Sequence, residues 1–138
     1  MTISSEIILN KEFPSILENI PKLHSLVSEK ISKFLPNEKL DTITLAISEA
    51  ISNAIKHGNK ADPNKKITIT VIISKDKITI KIKDEGSGFK LNTIPNPTEK
   101  ENLLKESGRG IFIIKNVVDN LQYNFTDTGT ETILEINR

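Results

Sequence analysis

Glu49, Asn53 and His57 recur at four-residue intervals within the segment SEAISNAIKHG. On an α-helix each step of four turns the side chain by about 40°, so the three share one side. They border an apolar stripe that includes Ala46, Ala50 and Ala54. Small alanines leave room for a ligand against the helix. Glu49 has the chemistry to orient a hydroxyl or a water for attack, and Asn53 offers a neutral oxygen of the kind Mg²⁺ accepts. An ordinary solvated helix edge has the same pattern, and the spacing alone leaves both readings open.

Asp84 is the most informative single residue. In KITIKIKD the period-two alternation puts Ile78, Ile80 and Ile82 on one face, and Asp84 falls in phase with them. A carboxylate aimed at the apolar side costs several kcal/mol unless donors meet it. Either the strand has already ended and Asp84 caps a turn at Glu85-Gly86, or it is a lone acceptor at the bottom of an apolar pocket. The second suits an exocyclic amine such as that of adenine. Gly86 and Gly88 would then let a flat ring approach the backbone with no Cβ in the way.

Further along, Gly108-Arg109-Gly110 opens a helical pattern, and a glycine-rich helix entry suits phosphate. Arg109 adds a charged fork, and Lys105 lies one turn upstream. This is neither the dinucleotide fingerprint, since Ile113 occupies the third glycine position, nor a Walker loop, since no Gly-Lys-Ser/Thr occurs. Thr130 shares a strand face with Thr132, Leu134 and Ile136, so its hydroxyl either reaches the same pocket, through water or directly, or reflects plain β-propensity. His24 reads as a helix-surface residue, and two histidines without a third make a poor transition-metal site.

These residues need elements to hold them. A β-branched run at 3–10 predicts a first strand. Ser15 to Glu18 has capping-box spacing, but Pro21 sits too deep for one helix from there. The reading is therefore a turn at 15–19 and a helix from Ile20 to Phe34, with Leu23, Leu26, Val27, Ile31 and Phe34 on one stripe. Leu35-Pro36-Asn37 breaks it, Asn37 is placed to cap a second helix running to His57, and Gly58 to end that helix. Strands follow at 65–74 and 77–84, joined at Lys75-Asp76. The connector 86–109 carries Gly86, Gly88, Pro95, Pro97 and Gly108 with mixed charges, and its length suits a functional lid. A third helix is expected from Ile111 to Leu121, then a hairpin of 121–126 and 130–137 around Asp127-Thr128-Gly129. The order β-α-α-β-β-loop-α-β-β predicts an α+β two-layer sandwich: a mixed, mainly antiparallel sheet with about three helices on one face.

Composition narrows the function classes. The 138 residues suit a single domain, 1–138, able to bury a sizeable core. Nineteen Lys plus Arg against eighteen Asp plus Glu leave a net charge of +1, which argues against a strongly basic nucleic-acid binder. The absence of cysteine excludes disulfides, thiolate nucleophiles and zinc–thiolate sites within this sequence. No basic leader and no apolar stretch near ~18 residues appear, so a cytoplasmic protein without a membrane partner is expected, and the Asn124-Phe125-Thr126 triplet reads as chance.

In order, these pieces resemble the ATP-binding boxes of the GHKL superfamily (gyrases, Hsp-type chaperones, histidine kinases, mismatch-repair ATPases), the Bergerat fold. Glu49 to His57 resembles the N-box, Asp84-Glu85-Gly86-Ser87-Gly88-Phe89 the D-x-G-x-G box, and Gly108-Arg109-Gly110-Ile111 the second glycine box, with an ATP lid at about 89–107. Within the superfamily the chain is most similar to bacterial anti-sigma factor serine/threonine kinases, whose S-E-A-x-x-N-A-x-x-H-G is matched by Ser48 to Gly58. A sensor histidine kinase would carry a phospho-accepting His in an upstream helical hairpin, where this chain has only His24, and gyrase-like proteins carry a further transducer domain.

The resemblance implies a set of roles. Asn53 would bind Mg²⁺ bridging the ATP phosphates, and Glu49 would be the catalytic base for a substrate serine. Asp84, Gly86 and Gly88 would hold adenine, with Thr130 beside them. Gly108 and Gly110 would cradle phosphates, assisted by Arg109, Lys105 and the helix end at His57. The implied activity is phosphoryl transfer from ATP to a serine of a small anti-anti-sigma antagonist protein. The implied partners are that antagonist, a sigma factor or similar regulator held on another surface, and a second copy in a homodimer. Two other readings remain: an ATP-gated protein-binding module without kinase activity, and an α+β interaction domain whose boxes are coincidental.

Overall fold

The computed structural model describes residues 5–86 and 114–138. Strand β1 (Glu6–Pro14) leads into helix α1 (Asn19–Ile31), which tightens into a 3₁₀ turn at Ser32–Phe34. Helix α2 (Asn37–Asn53) continues directly into a π-helical turn, Ala54–Gly58. Strands β2 (Lys66–Ile73) and β3 (Lys77–Lys83) form a hairpin. A helical segment at 114–117 precedes strands β4 (Asn120–Thr126) and β5 (Gly129–Asn137).

The five strands make one sheet in the order β1-β2-β3-β5-β4, and every described pairing is antiparallel, where a mixed sheet was allowed for. Alternation decides which face is covered. Ile67, Ile69, Val71 and Ile73 of β2 and Ile78, Ile80 and Ile82 of β3 are buried, while the threonines and lysines between them are half-exposed. Register carries one apolar row across the sheet: Val71 faces Ile80, Ile80 faces Leu134, and Leu134 faces Leu121. Leu23, Val27 and Ile31 of α1 and Ile43, Ala46, Ile47, Ala50 and Ile51 of α2 close over that face in a single core. The two-layer α+β architecture is therefore as expected. No helix among the described residues is long and apolar enough to cross a membrane.

Several boundaries differ from the sequence reading, each for a local reason. The first strand extends to Pro14, because Phe13 and Pro14 still pair with Ile67 and Lys66 on the edge of the sheet. Helix α1 begins at Asn19, placing Pro21 in the first turn, where its missing N–H leaves no bond unmade. Asn37 does not cap α2: helical geometry already begins there, Pro36 holds the cap position, and no side chain caps the end. The expected helix to Leu121 stops early. Val118 N–H still bonds Ile114 O at 3.0 Å, but Asp119 N–H bonds Glu135 O at 2.9 Å and its carboxylate accepts from Asn137 N–H at 2.7 Å, so the chain joins the sheet. Leu121 consequently lies in β4. Gly88, Lys105, Gly108, Arg109, Gly110 and the expected lid at 89–107 lie outside the described residues.

The one-sided core gives a direct test. Ile80→Ala should cost about 2–5 kcal/mol in denaturant unfolding. Thr79→Ala, one residue away on the opposite face, should cost under about 1 kcal/mol.

Candidate functional site

The site forms where the C-terminal end of α2 passes over the ends of β3 and β5. At Ala54 the helix changes from i→i+4 to wider i→i+5 bonding, closed by Asn59 N–H on Ala54 O at 2.9 Å. Such single π turns are a recurrent feature of functional sites. This one brings Gly58 down onto Asp84, so Gly58 is needed for more than ending a helix. A Cβ on it would stand 2.2 Å from Asp84 Oδ2.

Asp84 is buried, 5% exposed, and immediately follows β3. Its Oδ1 accepts from Gly86 N–H at 2.9 Å and from Thr130 N–H at 3.1 Å, and its own N–H donates to Thr130 O at 2.9 Å. No donor among the described residues bonds Oδ2. Burial pushes the carboxyl above its ordinary range, against the pull of the two backbone donors and of Lys65 and Lys83. Two further glycines make this packing possible. A Cβ at Gly86 would lie 1.7 Å from Gly58 O, and one at Gly129, whose φ is +146°, would lie 1.8 Å from Asp84 O. Backbone therefore presses on backbone all around the carboxylate.

Above Asp84 lies a pocket. Ala50, Asn53, Ala54 and Gly58 form the helix side, and Asp84, Thr130 and Thr132 the sheet side, with Ile114, Tyr123 and Phe125 completing it. The rings of Tyr123 and Phe125 stack with centroids 6.3 Å apart and 22° between planes. Thr130 Oγ1 is buried with no hydrogen-bond partner among the described residues. The Asn53 side chain, half-buried, also bonds none of them. The pocket is thus a mostly apolar slot with an acceptor oxygen, a spare hydroxyl and a spare carboxamide. That donor set fits a flat heterocycle bearing an amine.

The structure brings Asn53, Asp84 and Thr130 together, with Gly86 supporting Asp84 from below. Glu49 is half-buried one helical turn before Asn53 and does not line the pocket. His57 is exposed and does not line it either, because the π turn takes it out of register with the α-helical stripe. Sequence reasoning missed Tyr123 and Phe125. The signal was there: across the hairpin they stand opposite Thr132 and Thr130, so period-two counting puts both aromatics on the pocket face.

Residues 13–136 match the family model of the histidine kinase-like ATPase domain. The chain belongs to that family. The anti-sigma F factor of Clostridium perfringens (strain 13 / Type A) is 35% identical over 129 residues, covering 90% of this chain and 91% of that one. The anti-sigma F factor of Oceanobacillus iheyensis is 34% identical over 114 residues, covering 80% and 77%. A serine-protein kinase RsbW of Listeria monocytogenes (strain HCC23) is 27% identical over 103 residues, covering 70% of this chain and 65% of its own length. These relatives put the chain on the anti-sigma kinase branch of the family. The histidine kinase domain of the Erythrobacter litoralis EL346 blue-light activated kinase shares the fold, with a TM-score of 0.57 at 16% identity, covering 90% of this chain and 61% of that one. A histidine kinase-like ATPase family implies ATP as ligand, and the residues present fit its base: the cleft has no room for a Cβ at Gly58, and no described residue bonds Asp84 Oδ2 or Thr130 Oγ1.

Asp84 also gives a stability prediction with a definite sign. A carboxyl whose pKa is raised by folding destabilises the native state as pH rises through the interval between the unfolded value, about 3.9, and the folded one. Asp84→Asn keeps an oxygen for Gly86 and Thr130 N–H and removes the charge. Thermal unfolding at pH 7 should therefore occur at higher temperature in Asp84→Asn than in wild type. The gap should close as pH falls through the carboxylate range, which a pH series of melts by circular dichroism measures.

Proposed function

We propose that this protein is an ATP-dependent serine/threonine protein kinase of the anti-sigma factor type. The observation that carries the reading is a buried carboxylate lining an apolar slot, with one oxygen satisfied by backbone donors and the other bonded by no described residue. In this reading Asp84 Oδ2 accepts from the adenine amine, and Thr130 Oγ1 meets the ring edge directly or through water. Ala50 and Ala54 on one side, and Tyr123 and Phe125 on another, shape the slot around the base. Asn53 supplies one neutral oxygen to Mg²⁺. Among the described residues no cluster of three or more His, Asp or Glu is placed to hold a metal, so the cation would depend on Asn53, phosphate oxygens and water.

Bound ATP would supply the γ-phosphoryl group, and Mg²⁺ held through Asn53 would offset the charge on its oxygens. Glu49, one turn along α2 from Asn53, takes the proton of the substrate serine hydroxyl as that oxygen bonds phosphorus and the bond to ADP breaks. Gly88, Gly108, Arg109, Gly110 and Lys105 are assigned to the phosphates by their motifs, and His57 to the outer end of the helix. The substrate is a serine on a small anti-anti-sigma antagonist. The protein also sequesters a sigma factor or similar regulator, acts as a single domain in a homodimer in the cytoplasm, and contacts neither nucleic acid nor membrane.

Radiolabel transfer from ATP to a cognate antagonist tests this. Glu49→Ala should lower transfer by about 10²–10⁴-fold, the usual contribution of a positioned base, with Mg-ADP binding retained. Equal transfer by both proteins would remove Glu49 from the mechanism. A separate check is thermal: Mg-ADP at 100 times its Kd should stabilise the wild type by about 2.7 kcal/mol, and Asp84→Ala not at all. Tight binding of Mg-ADP with no transfer to any antagonist would favour the ATP-gated binding module instead.

A further inference from the structure

The side chain of Asn59 is 0% exposed, and every polar group it carries is used. Its Nδ2 donates to Ser15 Oγ, just after β1, and to Lys66 O at 3.0 Å, where β2 begins. Its Oδ1 accepts from Glu85 N–H at 2.8 Å. Its backbone N–H closes the π turn on Ala54, and its carbonyl accepts from Asp62 N–H at 3.1 Å. Lys66 N–H in turn donates to Glu85 Oε1 at 2.7 Å, locking the same junction from its other side. A buried amide satisfied on all sides rigidifies what it joins. Here it joins the end of α2 to the backbone beside Asp84. Its neighbour Gly58 abuts Asp84 Oδ2 and Gly86, and the residue it grips, Glu85, lies between Asp84 and Gly86.

We propose that Asn59 is a positioning residue: its carboxamide holds the Gly58–Asn59 turn against residues 84–86 so that Asp84 Oδ2 is aimed into the pocket. In this way it sets how well the site tells adenine from a purine lacking the 6-amino group. The proposal rests on the nucleotide reading above and adds to it a determinant that never touches the ligand. A residue that merely holds the fold together would, when lost, weaken every ligand alike. One that aims a single acceptor would, when lost, weaken only the ligand whose donor meets that acceptor.

The experiment is calorimetric titration of the full chain with Mg-ADP and with Mg-inosine diphosphate, which lacks the amine, at a temperature where circular dichroism shows each protein folded. Wild type should prefer ADP by about tenfold or more, the worth of one hydrogen bond to a charged acceptor. Asn59→Ala should lose most of that preference through weaker ADP binding, with inosine diphosphate affinity within about twofold of wild type. Should Asn59→Ala not fold, Ser15→Ala removes one acceptor of the same amide and should reduce the preference by about threefold. An unchanged ADP-to-inosine ratio in the folded variant, or equal weakening of both ligands, overturns the proposal while leaving the nucleotide site standing. A wild type that binds neither ligand overturns the nucleotide reading and this proposal with it, whereas one that binds both equally overturns the pairing of Asp84 with the adenine amine, and this proposal, but leaves a nucleotide site.

Discussion

A carboxylate kept out of water must be solvated by something else, and the way Asp84 is solvated explains the architecture around it. Oδ1 receives two backbone N–H groups, from Gly86 in its own turn and from Thr130 on the neighbouring strand. The second donor exists because β3 and β5 pair antiparallel, with Lys83 opposite Glu131, which leaves Thr130 level with Asp84. The lid over the carboxylate is backbone as well. Gly58 and Gly129 come so near Asp84 that a methyl group at either would overlap it or its carbonyl. Glycine at these positions is thus a steric requirement of one buried charge. The isoleucine core that packs α2 on the sheet keeps those contacts in place.

The same constraint explains why the helix changes geometry where it does. An α-helical continuation past Asn53 would carry its final residues on at the usual pitch. The wider π turn adds a residue to the loop and delivers Gly58 to Asp84, and Asn59 to the interior. Two non-glycine residues then take left-handed backbone, Lys60 and Ala61, each with φ of 54°, at a cost of roughly 1–2 kcal/mol apiece. Ala61 N–H bonds Ile55 O at 2.7 Å from that conformation. The chain tolerates local strain at the helix exit because the exit is where the site is made.

Much of this was legible in the residues. Period-two alternation identified β2 and β3 nearly to the residue, and the same count singled out Asp84 as a charge on the wrong face for a plain strand. The alanine stripe of α2 announced space beside the helix, and Ala50 and Ala54 do line the pocket. What escaped was set by contacts distant in sequence. Nothing in AIKHG announces a π turn, since its cause is the fit of Gly58 on a strand end 26 residues later. Asn37 looked like a cap because caps are judged by residue type, whereas Pro36 already held the position. Leu121 satisfied a helical stripe and a strand alternation equally, and only pairing with Leu134 decided between them. Tyr123 and Phe125 were passed over because 121–126 was read only as one strand of a terminal hairpin, without following its register to the residues opposite Thr130 and Thr132.

The pocket holds polar groups that no described residue satisfies: Oδ2 of Asp84, the hydroxyl of Thr130 and the carboxamide of Asn53. Each costs stability in a buried or half-buried setting, of the order of 1–3 kcal/mol for a fully buried group. A core selected for stability alone would fill this slot with apolar side chains, as the rest of the sheet face does with isoleucine. Alanines at 50 and 54 instead keep it open. The deficit is recovered when a partner with matching donors enters, so binding and folding draw on the same unmet hydrogen bonds. This is why replacing Asp84 by asparagine separates the two properties, removing the buried charge that costs stability and, with it, the acceptor that an incoming amine would meet.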